Sequence, residues 1–421
     1  MKQFVIIGNS AAGIAAAEAI RKADKQSAIT IISDEDYPAY CRCLISYYLA
    51  GQVLVDKILY RPENFYKENN ITLLLNKKVE RVDPKKNRLV CVDKAQIPFD
   101  ALLVATGSSP KFPEVKGIKK ENVFGLRTIK NATEIAERLP MTKTACVLGG
   151  GLVGLKAAYA LSKRNIDTKV IVKSKQVLSQ MLDFAAAGFV QRRLVEHGVE
   201  LVLGQDAVEI IGEGEIKAVK LDSGKAIGCE LVVVGKGVKP NIELVKDTGI
   251  KINEGIIANN LLQTSIPNIY TAGDVCESFD ITVQAPSINA LWPVAVEQGR
   301  AAGVNIAGGN IIYDGSLGMN ALEFFGLAVV SLGMYKVPDK DPSYEELVLD
   351  NPKEETYKKI VLKNNVIVGV ILVKKISNSG VFLSLMRKKA DVSVFKNSLL
   401  DDNFGYPAIK DLMPDKERIY V

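Results

Sequence analysis

Two turns of small residues hold the side chains best suited to chemistry. Gly8-Asn9-Ser10-Ala11-Ala12-Gly13 follows the apolar run Phe4 to Ile7 and leads into an Ala-rich segment from Ile14 to about Ala23. Gly149-Gly150-Gly151-Leu152-Val153-Gly154 follows Ala145 to Leu148 and leads into a second such segment through Ser162. Each reads as a buried strand, a tight turn and a helix, the arrangement that seats a pyrophosphate on a helix N-terminus. Small side chains let the backbone approach the phosphates, and the aligned peptide dipoles favour their negative charge. Ser10 replaces the middle glycine in the first copy, whereas the second keeps all three.

A second strand follows each helix. Ala28 to Ile32 ends at Ser33-Asp34-Glu35, which places Asp34 or Glu35 to accept hydrogen bonds from a ribose diol. Lys169 to Val172 ends instead at Lys173-Ser174-Lys175, with no carboxylate. Lys173 and Lys175 could clamp a ribose 2′-phosphate, which favours NADPH over NADH, or they could be solvated lysines of a surface turn.

Three further segments complete the pattern. Phe99 to Val104 is a buried strand entering Ala105-Thr106-Gly107, and Glu230 to Lys239 repeats that arrangement with Gly235 and Gly237. Asn268 to Asp274 is a strand ending in Gly273-Asp274, and a helix follows over Pro293 to Asn305. In this order the segments resemble the two-dinucleotide-binding-domain flavoproteins, the family of disulfide reductases, NADH oxidases, and rubredoxin and ferredoxin reductases.

The resemblance covers roughly residues 1 to 310 and implies an α/β chain with two Rossmann-like units. The FAD-binding domain would comprise 1–111 and 236–312, the NAD(P)-binding domain 112–235, and a C-terminal α+β interface domain 313–421. It implies FAD at Gly8, Ser10, Ala11, Ala12, Gly13 and Asp34 or Glu35, closed over by Ala105, Thr106, Gly107, Gly273 and Asp274. Gly237 and Trp292 are assigned to the same cofactor-binding set. The nicotinamide nucleotide would lie on Gly149, Gly151, Leu152, Val153 and Gly154.

The family's branches differ in what faces the flavin. Here Tyr40-Cys41-Arg42-Cys43-Leu44-Ile45-Ser46-Tyr47-Tyr48 occupies that segment. The CxxxxC pair and C-terminal His-Pro of dithiol disulfide reductases are absent. Aligned on the tyrosines, Cys43 matches the single redox cysteine of NADH oxidases and CoA-disulfide reductases, where a thiolate would carry electrons. Ala11 stands where NADH peroxidases keep a histidine. Aligned on Arg42, the segment resembles the reductases of small electron carriers. Arg42 would then bridge the FAD phosphates and Cys43 would be a small packing residue, with Cys41 incidental and pointing elsewhere. Lys156 replaces the glutamate common in relatives, either near the nicotinamide–flavin stack or facing solvent.

Composition bounds the rest. The 54 basic and 48 acidic residues are interspersed, which gives nucleic-acid binding little support. No apolar run approaches the ~18 residues of a membrane span, and a cytoplasmic protein is expected. Neither CxxC nor a cluster-ligand pattern occurs among the six cysteines, so any iron–sulfur partner is a separate protein. The single histidine, His197, reads as a solvent-facing helix end before Gly198, which sets aside a Ser-His-Asp triad. From Tyr313 onward, alternating apolar residues predict strands, with a hairpin over Lys359 to Lys374 around Asn364-Asn365 and a helix over Leu383 to Phe395. In this family that last unit usually builds a homodimer, and Asn403 to Tyr406 is a candidate to reach the partner's flavin. The favoured activity is FAD-dependent exchange of electrons between NAD(P)H and a small iron–sulfur carrier. The alternatives are a Cys43-dependent NAD(P)H oxidase or CoA-disulfide reductase, and a flavin-containing redox sensor or scaffold.

Overall fold

Strands with no polar alternation must be covered on both faces, and two such sets build the first two units. The computed structural model describes residues 1–338 and 341–412. In the first sheet the parallel order is Ile269–Thr271, Ala101–Val104, Gln3–Ile7, Ala28–Ile32, Ile71–Leu74. In the second it is Val199–Leu203, Asp167–Val172, Thr144–Leu148, Leu231–Val234, Val123–Gly125. Ala101–Val104 and Leu231–Val234 are buried at every position. Parallel pairing requires crossovers, supplied here by the helices Ala11–Ala23 and Leu152–Lys163.

The first sheet takes its edge strand from residues 269–271, so the chain leaves that unit, builds the second and returns. Its two crossing segments, Ser108–Pro110 and Val238–Pro240, pair antiparallel. Thr106 Oγ1 donates to the Asn241 carbonyl at 2.8 Å, and Asn241 Nδ2 donates to the Thr106 carbonyl at 2.9 Å. The Ala105-Thr106-Gly107 turn is thereby bolted to the return crossing.

The third unit is a five-stranded antiparallel sheet, ordered Met319–Phe324, Leu327–Gly333, Val366–Val373, Thr356–Lys363, Tyr344–Asn351. Asn364 and Asn365 both adopt positive φ, 48° and 61°, which suits the twist of the hairpin expected there. The expected helix over Leu383 to Phe395 is not continuous. The helix runs Ser379–Lys388 and ends where Lys389 turns left-handed at φ 50°. Asp391 then bridges to Val366, and Ser393–Ser398 forms a separate 3₁₀ segment.

This sheet docks on the second unit. Apolar residues of both share one core, among them Phe189, Val190, Phe324 and Ile371. Charge closes the edges: buried Lys359 pairs with Asp183 at 3.3 Å and Glu346 at 2.8 Å, while Tyr357 donates to Asp183 at 2.6 Å. Arg193 forks onto both oxygens of Glu355 at 2.7 and 2.8 Å. Replacing Lys359 with Met leaves Asp183 without its cation, and is expected to lower the free energy of unfolding by about 2 kcal/mol. Denaturant titration checks this, and an unchanged midpoint would show that the ion pairs do not hold the docking.

Candidate functional site

Both glycine turns are built around a contact that excludes a side chain. A Cβ on Gly13 would stand 1.9 Å from the Gly8 carbonyl oxygen, and one on Gly154 would stand 2.0 Å from that of Gly149. The chain can therefore reverse from strand into helix only with glycine there. Neither helix has an acidic residue in its first turn, and neither N-cap, Ser10 or Gly151, makes a side-chain cap. The first N–H groups are left for an anion.

In the first turn Asn9 is buried; its Oδ1 accepts from Tyr66 at 2.8 Å, while its Nδ2 has no partner. A buried amide donor beside a helix N-terminus fits a dinucleotide's phosphate oxygens. The residues present thus suit FAD in the first turn and a nicotinamide nucleotide in the second.

A polar network joins the first turn to the end of the first sheet. Arg42 ion-pairs with Glu35, and its Nε donates to Ser10 Oγ at 3.3 Å. Its Nη1 donates to Tyr40 Oη and to the Arg127 carbonyl, each at 3.0 Å. Tyr40 donates to Glu35 at 2.5 Å and accepts from the Ile129 amide at 3.2 Å, and burial pushes its phenol well above the usual range. Arg127 in turn ion-pairs with Asp274, which also accepts from Ser108 Oγ at 2.8 Å. Gln298 fixes the preceding glycine by accepting from the Gly273 amide at 2.8 Å. Of the two carboxylates weighed for the ribose, Glu35 is the one in the network; Asp34 is exposed. Trp292 heads the helix Trp292–Ile306, edge-on to Tyr60 at 4.9 Å between ring centroids. Gly237 sits in the return crossing, its carbonyl accepting from Lys111 at 2.9 Å.

Sequence reasoning missed Arg127, Tyr40, Ser108 and Gln298. The one signal near Arg127 was the capping box in which Thr128 and Asn131 open the next helix.

At the second turn, Leu152 and Val153 are half-buried in the helix's first turn. Lys173 and Lys175 are both exposed beyond the strand Asp167–Val172. Lys173 already lies 3.7 Å from Asp206, which also ion-pairs with Lys236. The carboxylate missing from the local sequence thus arrives from a neighbouring loop.

Lys156 does not face solvent. Its ammonium donates to Tyr47 Oη at 3.1 Å and to the Glu323 carbonyl at 2.8 Å. The rings of Tyr47, Phe324 and Tyr159 surround it at 4.8, 5.1 and 5.3 Å. One side chain thereby joins all three units. Burial lowers its pKa, and Glu323 and Cys43 oppose that shift.

The two cysteines of the Tyr40 to Tyr48 segment also differ from expectation. Cys43 is exposed rather than packed. Cys41 is half-buried, and the neighbouring Cys43 thiol draws its pKa below the usual thiol range, to about 6. His197 is exposed as expected, and its ring stacks on Phe325 at 4.1 Å. Tyr406 is exposed, whereas Phe404 is buried against Phe382 and Phe395. Among the described residues, no helix is long and apolar enough to cross a membrane.

Residues 2–299 match the family described as pyridine nucleotide-disulphide oxidoreductase, and residues 319–390 match the rubredoxin NAD+ reductase C-terminal domain. The chain is 37% identical over 313 residues to an NADH oxidase of Methanocaldococcus jannaschii, covering 72% of this chain and 70% of that one. It is 31% identical over 420 residues to the assimilatory nitrate reductase electron transfer subunit of Bacillus subtilis. That alignment covers 99% of this chain but 53% of the relative, so the chain spans about half the relative's length. Among solved structures, an NAD-dependent persulfide reductase from A. fulgidus superposes with a TM-score of 0.87 at 26% identity, covering 94% of this chain and 78% of that one.

A Gly154→Val variant tests the second cradle. It should retain FAD and lose reduction by nicotinamide nucleotide by at least about a hundredfold, since such misplacement removes the productive geometry. Anaerobic bleaching of the bound flavin is the measurement; wild-type rates in the variant would dismiss the cradle.

Proposed function

We start from the fact that this chain belongs to the pyridine nucleotide-disulphide oxidoreductase family, and we propose that it passes electrons between NAD(P)H and a small iron–sulfur carrier protein. It is an NAD(P)H-dependent flavoprotein oxidoreductase, and FAD and a nicotinamide nucleotide are its cofactors. Bound FAD accepts electrons as a pair from NAD(P)H and can release them singly to a one-electron acceptor.

The protein's own residues bind, orient and shield. In this reading Gly8, Ser10, Asn9 and Arg42 hold the FAD pyrophosphate, Glu35 the adenosine ribose, and Asp274, held by Arg127 and Ser108, the ribityl end. Gly149, Gly151 and Gly154 seat the nicotinamide nucleotide. No acid–base residue is required for hydride transfer. Lys156 is caged where the three units meet, and burial there lowers its pKa.

The observation that carries the carrier reading is the match of residues 319–390 to the rubredoxin NAD+ reductase C-terminal domain. The similarity to an electron transfer subunit agrees with it. The same reading has the protein act in the cytoplasm, as a homodimer formed through the third unit. Val348 and Leu349, exposed on the edge strand Tyr344–Asn351, support such a contact. A second reading, a thiol-dependent NAD(P)H oxidase or disulfide reductase, is favoured by exposed Cys43 and its contact with Cys41.

Steady-state assays with reduced nucleotide and a purified rubredoxin or ferredoxin test the function. Carrier reduction that outruns oxygen consumption is the expected result. Turnover with oxygen or disulfides alone would replace the carrier reading with the second one.

Nucleotide choice has its own test. Exchanging Lys173 and Lys175 for Asp should lower the NADPH-to-NADH preference by at least about tenfold, because each lost charge-assisted hydrogen bond is worth roughly 1.5–3 kcal/mol. An unchanged ratio would show that these lysines do not touch the ribose phosphate.

A further inference from the structure

Three charged residues and the second glycine turn share one edge of the second unit. In sheet order, Asp206 lies beyond Val199–Leu203, Lys173 beyond Asp167–Val172, the glycine turn beyond Thr144–Leu148, and Lys236 beyond Leu231–Val234. The carboxyl ends of an open parallel sheet are where its ligands bind. A Cβ on Gly149 would stand 2.4 Å from the Gly235 carbonyl oxygen, so Lys236 starts beside the turn. Its ammonium ion-pairs with Asp206. The pair therefore spans the ends of the two strands between them, along the edge that a nucleotide seated on the turn must follow.

Asp206 is held from several sides. The Gly204 amide donates to the Ser174 carbonyl at 3.0 Å and the Gln205 amide to the Val172 carbonyl at 3.2 Å. These bonds fold the loop against the end of the strand Asp167–Val172. The Asp206 amide donates to Asp222 Oδ2 at 3.2 Å, and its carbonyl accepts from the Asp222 amide at 2.9 Å. Its Oδ1 accepts from Lys236 and from the Ala207 amide, the latter at 3.0 Å. Its Oδ2 accepts no hydrogen bond among the described residues; Lys173, whose side chain is 80% exposed, comes only to 3.7 Å. One oxygen is thus fixed, and the other is on offer beside the strand end where a ribose diol is read.

We propose that Asp206 sets the nucleotide preference of the second cradle, accepting on Oδ2 a hydrogen bond from the free 2′-hydroxyl of the adenosine ribose. Lys236 is its positioning residue, because it holds Oδ1 and so turns Oδ2 toward the turn after the strand Asp167–Val172. A 2′-phosphate would bring negative charge against the same carboxylate. Asp206 therefore shifts the preference toward NADH, however strongly Lys173 and Lys175 draw the phosphate. The acid that specifies a ribose diol comes here from the loop after the neighbouring strand and not from the turn that ends in Lys173-Ser174-Lys175. This inference rests on the reading of the second turn as the nicotinamide nucleotide's cradle and is independent of the carrier.

The test measures binding and needs no turnover. FAD-loaded protein, whose first cradle is filled, is titrated calorimetrically with ADP-ribose and with two analogues altered at the adenosine ribose, the 2′-deoxy compound and the 2′-phosphate. In the unaltered protein, loss of the 2′-hydroxyl should weaken binding at least about tenfold, as expected of a hydrogen bond to a charged group. Asp206→Ala should bind ADP-ribose and the 2′-deoxy analogue equally. Asp206→Asn keeps the shape and removes the charge, and it should raise the affinity for the 2′-phosphate relative to ADP-ribose by at least about tenfold.

Equal binding of ADP-ribose and its 2′-deoxy analogue by the unaltered protein would overturn the proposal and leave the cradle standing. So would an unchanged affinity ratio in Asp206→Asn. Binding of none of the three compounds would overturn the cradle along with it.

Discussion

The architecture depends on two places where a backbone carbonyl occupies the space a side chain would need. Gly8 and Gly149 each aim their carbonyl at the Cα of a glycine five residues later, and that close approach sets the angle at which strand gives way to helix. Everything that makes the cleft a dinucleotide site follows from it. The helix N-termini face outward with uncapped amides, the parallel strands behind them are rigid and buried on both faces, and the next strand delivers its polar residues beside the turn. A substituent at either position would move the helix, not merely a side chain.

Rigid turns alone would leave the two units free to drift, and the charged network opposes that. Glu35, Arg42, Tyr40, Arg127 and Asp274 connect the end of the second strand, the cysteine turn, the start of the second unit and the end of the first sheet. Partly buried pairs such as these are worth more than surface ion pairs only when every partner is present, which is why the network acts as one element. Lys156 does the complementary work where the three units meet, and one ammonium there serves the first and third units at once.

Much of this was legible in the sequence because it is local. Strand, turn and helix follow one another within about 30 residues, and glycine spacing marks the turn. The strand Ala28–Ile32 and the asparagine hairpin are local in the same sense. What escaped was long-range. Arg127 meets Asp274 across 147 positions and Arg42 meets the Arg127 carbonyl across 85, and no local pattern marks either. Asp206 reaches Lys173 from a different strand end. The predicted helix over Leu383 to Phe395 failed for a different reason: its apolar spacing continues past Lys388, but the left-handed turn at Lys389 and the bridge from Asp391 end it.

The central claim is that the two cradles bring a nicotinamide and a flavin ring into contact within one chain. Anaerobic rapid mixing of the FAD-loaded protein with NADPH or NADH, followed across the visible spectrum, tests it most directly. The account predicts loss of the oxidised flavin absorbance together with a broad long-wavelength charge-transfer band, the signature of stacked rings. A flavin that stays oxidised, or that bleaches with no such band at saturating nucleotide, would contradict it.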